Sequence, residues 1–334
     1  MTSLNRSLGR VVHYSPQFGH SRLFQLLPKA KTRPRLNVSY GPSTDGSVLR
    51  FSAANALGVP EQTLLLVLLE LAKEQFAIAP SRVVIAGSST SEVDQLLWTK
   101  LTKGNDGACS ETLCFTTTWY ELNKRCGVQT GGTALKMRTQ QLERLCEVVV
   151  WELAGDTANT KRQSFLVALV IGDDKRLHLA LNARLALALM GGSYAQVSLA
   201  ERLSLGKDVS MAVHAFLSTA IAPGNHLRIG VETLVARFWP ESTAQPAGTR
   251  RRHRFEIRDA LKAIGLLDGW SIEWESEGLT RISRIEKSVR DMTRNNANKT
   301  TSYRERAFAK TTSKNNELDE FDVSGLFFNK NTSG

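Results

Sequence analysis

The sequence lacks an apolar run long enough to cross a bilayer. Its longest run, Leu64–Leu69 within a stretch that ends at Ala72, is well short of the roughly 20 residues that a membrane-spanning helix needs. Arg6 and Arg10 are not followed by the apolar region and small-residue cleavage site of a secretory signal. We therefore expect a cytoplasmic protein with no membrane partner, in which the apolar run forms a buried helix.

Cysteine is scarce, and the motifs of several enzyme classes are missing. The spacing of Cys109, Cys114, Cys126 and Cys146 matches no zinc ladder, so we expect reduced, mostly buried thiols and no metal site. The chain has no phosphate-binding loop ending in Lys-Ser/Thr, no GxSxG elbow and no HExxH. Its 5 tyrosines could supply a nicking nucleophile, but the histidine cluster that such nickases need is missing. We expect no catalytic activity and no cofactor.

What the chain does have is positive charge. The 43 Lys and Arg residues outnumber the 32 Asp and Glu residues and leave a net charge of +11. This excess indicates a polyanionic partner, either nucleic acid or an anionic membrane surface. Because 42% of the 334 residues are hydrophobic, the chain can supply a core for each of two domains.

The order of predicted elements divides the chain into four parts. We predict a flexible basic arm over 1–35, a first winged-helix domain over 36–175, a second over 176–285, and a largely disordered tail over 286–334. The fold class is therefore α+β, with two tandem winged-helix domains. Each domain would contain a helix-turn-helix followed by a hairpin wing.

Periodicity places the elements inside these domains. In the first domain we predict strands over 36–40 and 48–51, a helix over 60–75 whose middle is apolar on all sides, helices over 118–126 and 133–146, and wing strands over 148–151 and 165–171. In the second domain we predict strands over 177–181 and 194–199, helices over 183–190, 231–238 and 249–264, and a hairpin over 270–282.

The basic helix of the second domain is the most informative segment. Its cations follow one face at helical spacing and, with their neighbours, are the candidate DNA contacts: Arg250, Arg251, Arg252, Arg254, Arg258 and Lys262. The apolar Ile257, Leu261 and Ile264 fall on another face. The second helix of a helix-turn-helix enters the major groove, where arginine can contact guanine. A solvated basic face or a localisation signal is the alternative.

The corresponding helix of the first domain offers a less basic face. Its candidate DNA contacts lie opposite Leu135, Leu142 and Leu145: Thr133, Lys136, Met137, Gln140 and Arg144. Lys161 and Arg162 stand at the tip of the predicted wing, where they could reach phosphates or the minor groove. A plain exposed surface is the alternative for this helix.

Several segments, in this order and spacing, resemble the IncQ-group plasmid replication initiators often called replication protein C. They are Leu36–Tyr40 with Arg50-Phe51-Ser52, Gly131–Lys136, Glu143-Arg144-Leu145, Lys161-Arg162-Gln163, Leu179–Asn182, Met190-Gly191-Gly192, Trp239-Pro240, Arg250–Ala260 and Gly269-Trp270. The resemblance covers about residues 36–282. The chain departs from the pattern in its longer N-terminal arm, in residues 87–106 and in its tail.

The resemblance implies a cytoplasmic protein that binds double-stranded origin DNA at direct repeats (iterons). It further implies melting of the adjacent AT-rich DNA and recruitment of a plasmid-encoded hexameric helicase and a primase, with several copies bound and self-association possible. A winged-helix transcriptional regulator is the alternative function. Such a regulator would share the charge and the missing catalytic motifs, but it would usually have one reading helix per chain.

Overall fold

Helices and sheets alternate along the chain. The computed structural model describes residues 10–27, 32–42, 46–103, 110–129, 131–153, 161–240, 245–275 and 278–286. The predictions for 1–9, for the first wing tip at 154–160 and for the tail from 287 onward lie outside these residues. The described residues up to Arg284 belong to one compact unit. The predicted α+β class is confirmed.

The helices are α1 (Pro16–His20), α2 (Val59–Ile78), α3 (Pro80–Val83), α4 (Glu92–Thr102), α5 (Trp119–Arg125), α6 (Gly132–Glu147), α7 (Ala183–Leu189), α8 (Leu199–Ser204), α9 (Asp208–Ala220), α10 (Val231–Phe238) and α11 (Ala247–Gly265). The strands are β1 (Val11–Tyr14), β2 (Leu36–Tyr40), β3 (Val48–Ala53), β4 (Val84–Ile85), β5 (Thr112–Thr117), β6 (Val149–Leu153), β7 (Lys161–Phe165), β8 (Val167–Ile171), β9 (Leu177–Leu181), β10 (Ala195–Ser198), β11 (His226–Gly230), β12 (Trp270–Trp274) and β13 (Leu279–Arg284). They form four sheets of order β1-β10, β2-β3-β6-β7, β4-β5-β9-β8 and β11-β13-β12.

The central helix of the core is α2. Its residues from Leu64 to Leu69 are completely buried, as predicted for a helix that is apolar on all sides. It packs against β1, β5, α5, α6, α7 and α9. This helix therefore connects the N-terminal segment with the first helix pair, which is α5 and α6. It also contacts α9, which precedes the second helix pair, α10 and α11.

The N-terminal segment differs from the predicted flexible arm. From residue 10 onward, β1 pairs antiparallel with β10 in the register Val11 to Ser198. Val12, Tyr14, Phe18 and Leu23 are buried in the main core. Proline does not break this segment, because Pro16 occupies the first turn of α1, where a missing N–H costs nothing.

The predicted boundary between 175 and 176 also differs from the structure, because β9 lies between β5 and β8 in one sheet. The region predicted as the polar wing tip and the strand over 165–171 contains two described strands, of which only the second lies within the predicted strand. The first, β7, completes a hairpin with β6. The second, β8, pairs with β9 after the chain turns at the buried Leu166. The sheets therefore cross the expected division of the chain.

Two smaller expectations can also be compared with the structure. Cys114 and Cys126 are free and buried, and burial raises the pKa of Cys126 to about 11, so these two are inert thiols as predicted. Cys109 lies outside the described residues. None of the described helices is long and apolar enough to span a membrane.

Candidate nucleic-acid interface

The C-terminal part of the unit contains a helix, a strand, two helices and a hairpin, in the order α9, β11, α10, α11, β12 and β13. β13 lies in the middle of their sheet and pairs antiparallel with both β11 and β12. α11 packs against α9, α10 and β12. The two helices expected from the sequence therefore lie side by side, directly before the hairpin.

The inner face of α11 is apolar, as predicted. Ile257, Leu261 and Ile264 are fully buried. Near the start of the helix, the His253 ring stacks on Trp239, with ring centroids 4.2 Å apart and planes 3° from parallel. Since Trp239 directly follows α10, this contact holds the two helices together.

The outer face of α11 presents the cations predicted to contact DNA, but their environments differ. Arg250, Arg251, Arg258 and Lys262 are exposed, and no ion pair to them is found within the described ranges. Arg252 pairs with Glu256 one turn later, at 2.8 Å. Arg254 is half-buried and donates to Glu232 of α10, so it is a bridge between the two helices and less available for DNA than predicted.

An aromatic side chain that the sequence reasoning missed stands in the middle of this face. Phe255 is 68% exposed. At 100° per residue it points almost directly away from the buried Ile257 line, with Arg251 one turn before it and Arg258 one turn after it. A helical projection centred on the buried residues, rather than on the arginines, would have found it.

The first helix pair, α5 and α6, has a similar arrangement. Gly127, with φ +70°, allows the left-handed turn that ends α5. Arg138 is buried and donates to Asn123 of α5 at 3.2 Å and to Gln141 at 2.6 Å. This arginine fixes the angle between the helices from inside.

The candidate residues of α6 separate into two groups. Thr133, Lys136, Met137 and Gln140 are exposed together on the outer face. Arg144 is not among them, because its guanidinium lies 2.9 Å from the fully buried carboxylate of Glu61 in α2. Arg144 is therefore engaged with α2 and lies apart from the exposed group, and its assignment as a DNA contact stays a prediction.

Leu135 departs from the predicted packing face of α6. It is 41% exposed, whereas Leu142 and Leu145 are buried. The first turns of α6 extend beyond the core, since almost every residue from Gly131 to Met137 is exposed. Leu135 therefore lies outside the buried core and widens the outer face of α6.

The first hairpin is described only in part. Arg162 is exposed on β7, opposite Glu152 of β6. The backbone of Lys161 pairs with that of Leu153, and its side chain lies outside what the structure describes. Both residues belong to the hairpin, as predicted, and Arg162 is available at its surface.

Partly buried arginines attach the second helix pair, α10 and α11, to the rest of the unit. Arg237 of α10 donates to the carbonyl oxygens of Gly19, His20 and Ser21 at 3.0 to 3.3 Å. Its guanidinium lies 4.0 Å from the centroid of the Phe216 ring. Burial lowers the pKa of Arg237 to about 9, so it stays charged at neutral pH.

The β12-β13 hairpin is also held by an arginine that donates to backbone carbonyl oxygens. Arg284 at the end of β13 donates to the carbonyl oxygens of Ser218 and Ile221 at 3.1 and 3.2 Å, and to that of Gln196 at 2.8 Å. The indole N–H of Trp270 in β12 donates to Glu201 of α8 at 3.1 Å. These bonds fix the sheet on which α11 rests.

Residues 9–286 match the family profile described as Replication protein C (RepC). No curated protein matches. A crystal structure of selenomethionine derivatives of domains 2 and 3 of RctB is similar at 10% identity and a TM-score of 0.48, over 80% of this chain and 98% of that one. A crystal structure of RctB domains 2-3 is similar at 11% identity and a TM-score of 0.47, over 84% of this chain and 99% of that one.

Proposed function

The chain belongs to the replication protein C family, and from this premise we propose that it initiates plasmid replication by binding iterons in double-stranded origin DNA. The proposal includes promotion of origin melting, recruitment of a plasmid-encoded hexameric helicase and a primase, and self-association of copies on neighbouring repeats. It assigns the chain a cytoplasmic location and no catalytic site.

The outer face of α11 is the observation that carries the proposal. α9, β11, α10, α11 and the β12-β13 hairpin follow the order of a winged helix, and we interpret them as one. In that fold the second helix of the helix-turn-helix enters the major groove. Arg251, Arg258 and Lys262 are exposed on it, and each can contact guanine or phosphate.

We interpret α5, α6 and the β6-β7 hairpin as a second winged helix with a different part in binding. Its exposed face mixes neutral hydrogen-bonding groups, Thr133 and Gln140, with Lys136. Neutral base contacts change the salt dependence of binding little, whereas each phosphate contact adds about 0.9 to the slope of log K against log salt. We therefore assign most of the salt-dependent affinity to α11 and part of the sequence discrimination to α6.

Melting in this proposal needs no hydrolysis. Several copies bound to adjacent repeats can offset the energy of bending and unstacking flexible base steps through the contacts that the bend permits. The helicase and primase would then load on the opened strands. Self-association would contribute by keeping the bound copies on the same face of the duplex.

Footprinting of the full chain on the replicon that encodes it tests the proposal. We expect protection of an array of direct repeats beside an AT-rich segment, with permanganate-reactive thymines appearing in that segment as the array fills. Protection confined to one operator at a promoter, without such thymines, would instead identify a winged-helix transcriptional regulator. Arg251→Ala with Arg258→Ala is the matched variant, since both side chains are exposed and the fold does not depend on them.

A further inference from the structure

Phe255 occupies a place where a large apolar side chain needs an explanation. Single exposed apolar residues are common on protein surfaces. This one is 68% exposed at the centre of a helix face whose other members are charged. Arg251 and Arg252 precede it by one turn, and Arg258 and Asp259 follow it by one turn.

The position of Phe255 on the helix determines what it would meet in a groove. A helix in the major groove directs the middle of its outer face at base edges and its flanks at the two phosphate backbones. The middle of the α11 face is Phe255, with Lys262 two turns later on nearly the same line, while Arg251 and Arg258 lie on one flank and Arg252 on the other. Asp259, also near the middle, already accepts from Lys207 at 2.7 Å.

We infer that Phe255 is a specificity-determining residue that reads the 5-methyl group of thymine in the major groove. The inference rests on the proposed function, since it requires α11 to enter that groove. The thymine methyl is the apolar group that standard base pairs present there, and phenylalanine is suited to contact it. A ring without hydrogen-bonding groups cannot satisfy guanine, adenine or cytosine at the same position, so it selects for thymine.

The expected effect follows from the size of the contact. Burial of one methyl-sized group contributes about 0.8 kcal/mol, which corresponds to about a four-fold change in affinity. Removal of the whole ring also exposes neighbouring apolar surface of the base. We therefore expect Phe255→Ala to weaken binding by about ten-fold, more than one lost methyl group does.

A methyl-deletion scan tests the inference. The full chain first selects its preferred duplex from a random-sequence library, and each thymine of that duplex is then replaced singly by uracil, which removes only the methyl group. Affinities are measured for the wild type, for Phe255→Ala, for Phe255→Leu and for Ile78→Ala. Ile78 is 83% exposed at the end of α2, so its variant controls for the loss of an exposed apolar side chain elsewhere.

We expect one thymine whose replacement by uracil weakens DNA binding by the wild type and by Ile78→Ala about four-fold. The same replacement should leave the affinity of Phe255→Ala unchanged. Phe255→Leu should keep part of this sensitivity. The inference is overturned if uracil has no effect at any position, or if its effect is the same in Phe255→Ala. Failure to enrich any sequence would overturn the proposed function as well, whereas enrichment without methyl sensitivity would overturn this inference alone. Unchanged DNA binding with lost self-association in Phe255→Ala would make it a protein contact and also refute the inference.

Discussion

The Arg144→Ala substitution separates a structural arginine from a DNA-binding one. Glu61 is fully buried and accepts from Arg144 at 2.9 Å, from Arg33 at 3.1 Å and from the Gly58 N–H at 2.8 Å. Removal of one member of a buried ion pair typically costs about 3–5 kcal/mol. Because two donors to Glu61 remain, we expect Arg144→Ala to lower the free energy of unfolding by about 1–3 kcal/mol.

The pH dependence gives this prediction a second measurement. Burial by itself raises the pKa of Glu61, but hydrogen bonds from Arg33, Gly58 and Arg144 lower it below the ordinary value of 4.5. A carboxylate whose folded pKa is depressed contributes stability above its unfolded pKa, and this contribution is lost as the pH falls through the folded value. Without Arg144 the folded pKa rises, so the stability difference between variant and wild type should shrink as the pH falls below about 4.

Lys136→Ala is the matched control, because Lys136 lies on the same helix with an exposed side chain. We expect this variant to change stability by less than about 0.5 kcal/mol and to reduce the salt slope of DNA binding by about 1. Urea denaturation at pH 7 and in acid measures the first property, and a salt series of binding isotherms measures the second. The reasoning is refuted if Arg144→Ala weakens DNA binding like Lys136→Ala while its stability is unchanged.

Three further predictions concern the second helix pair and the reaction class. Arg251→Ala or Arg258→Ala should cost about 1–3 kcal/mol of discrimination for the selected duplex, and Arg252→Ala should cost less because Arg252 is already paired with Glu256; equal losses in competition binding would contradict this order. Arg237→Met should lower the urea midpoint and speed hydrogen exchange over residues 10–24, since three carbonyl oxygens lose their donor; unchanged exchange there would count against it. The purified chain should neither hydrolyse ATP nor cleave supercoiled origin DNA, with or without magnesium, and nicking that disappears on mutation of a tyrosine would show that this is wrong.

The sequence predicted the individual helices better than it predicted how the helices and strands pack together. α6 and α11 were found because each carries an apolar pattern with a period near 3.6, and α2 was found because a long apolar run follows Pro60 at a plausible first helical position; these are local signals. Composition was misleading for residues 10–24, where Pro16 and the basic residues around it indicated a loose arm although Val12, Tyr14 and Phe18 are buried. The partner of β1 is β10, about 180 residues away, and pairings of such separation leave no trace in local periodicity.

The sequence predicted which helix faces carry the candidate site but not the environment of each side chain on them, because that environment also depends on long-range packing. Charge marks a helix face but does not say which cations are free. Arg144 and Arg254 look the same in sequence as Arg251, and only the packing of α6 on α2 and of α11 on α10 brings Glu61 and Glu232 beside them. Phe255 was missed because a projection that starts from the basic residues centres the outer face about 55° away from Phe255.

Buried and partly buried arginines explain why the two helix pairs belong to one body and not to two domains on a linker. A guanidinium has five N–H donors in a fixed fork, and Arg237 and Arg284 use theirs to gather backbone carbonyl oxygens from segments far apart in the chain. Arg202 of α8 does the same with the carbonyl oxygen of Val59 and the amide of Gln62 in α2. A buried cation is costly, and burial lowers the pKa of both Arg202 and Arg237 to about 9. In the proposed function this arrangement supplies preorganisation: helices that are already fixed would need no ordering on DNA, so their contact energy would go into affinity and into discrimination of repeats from other sequences.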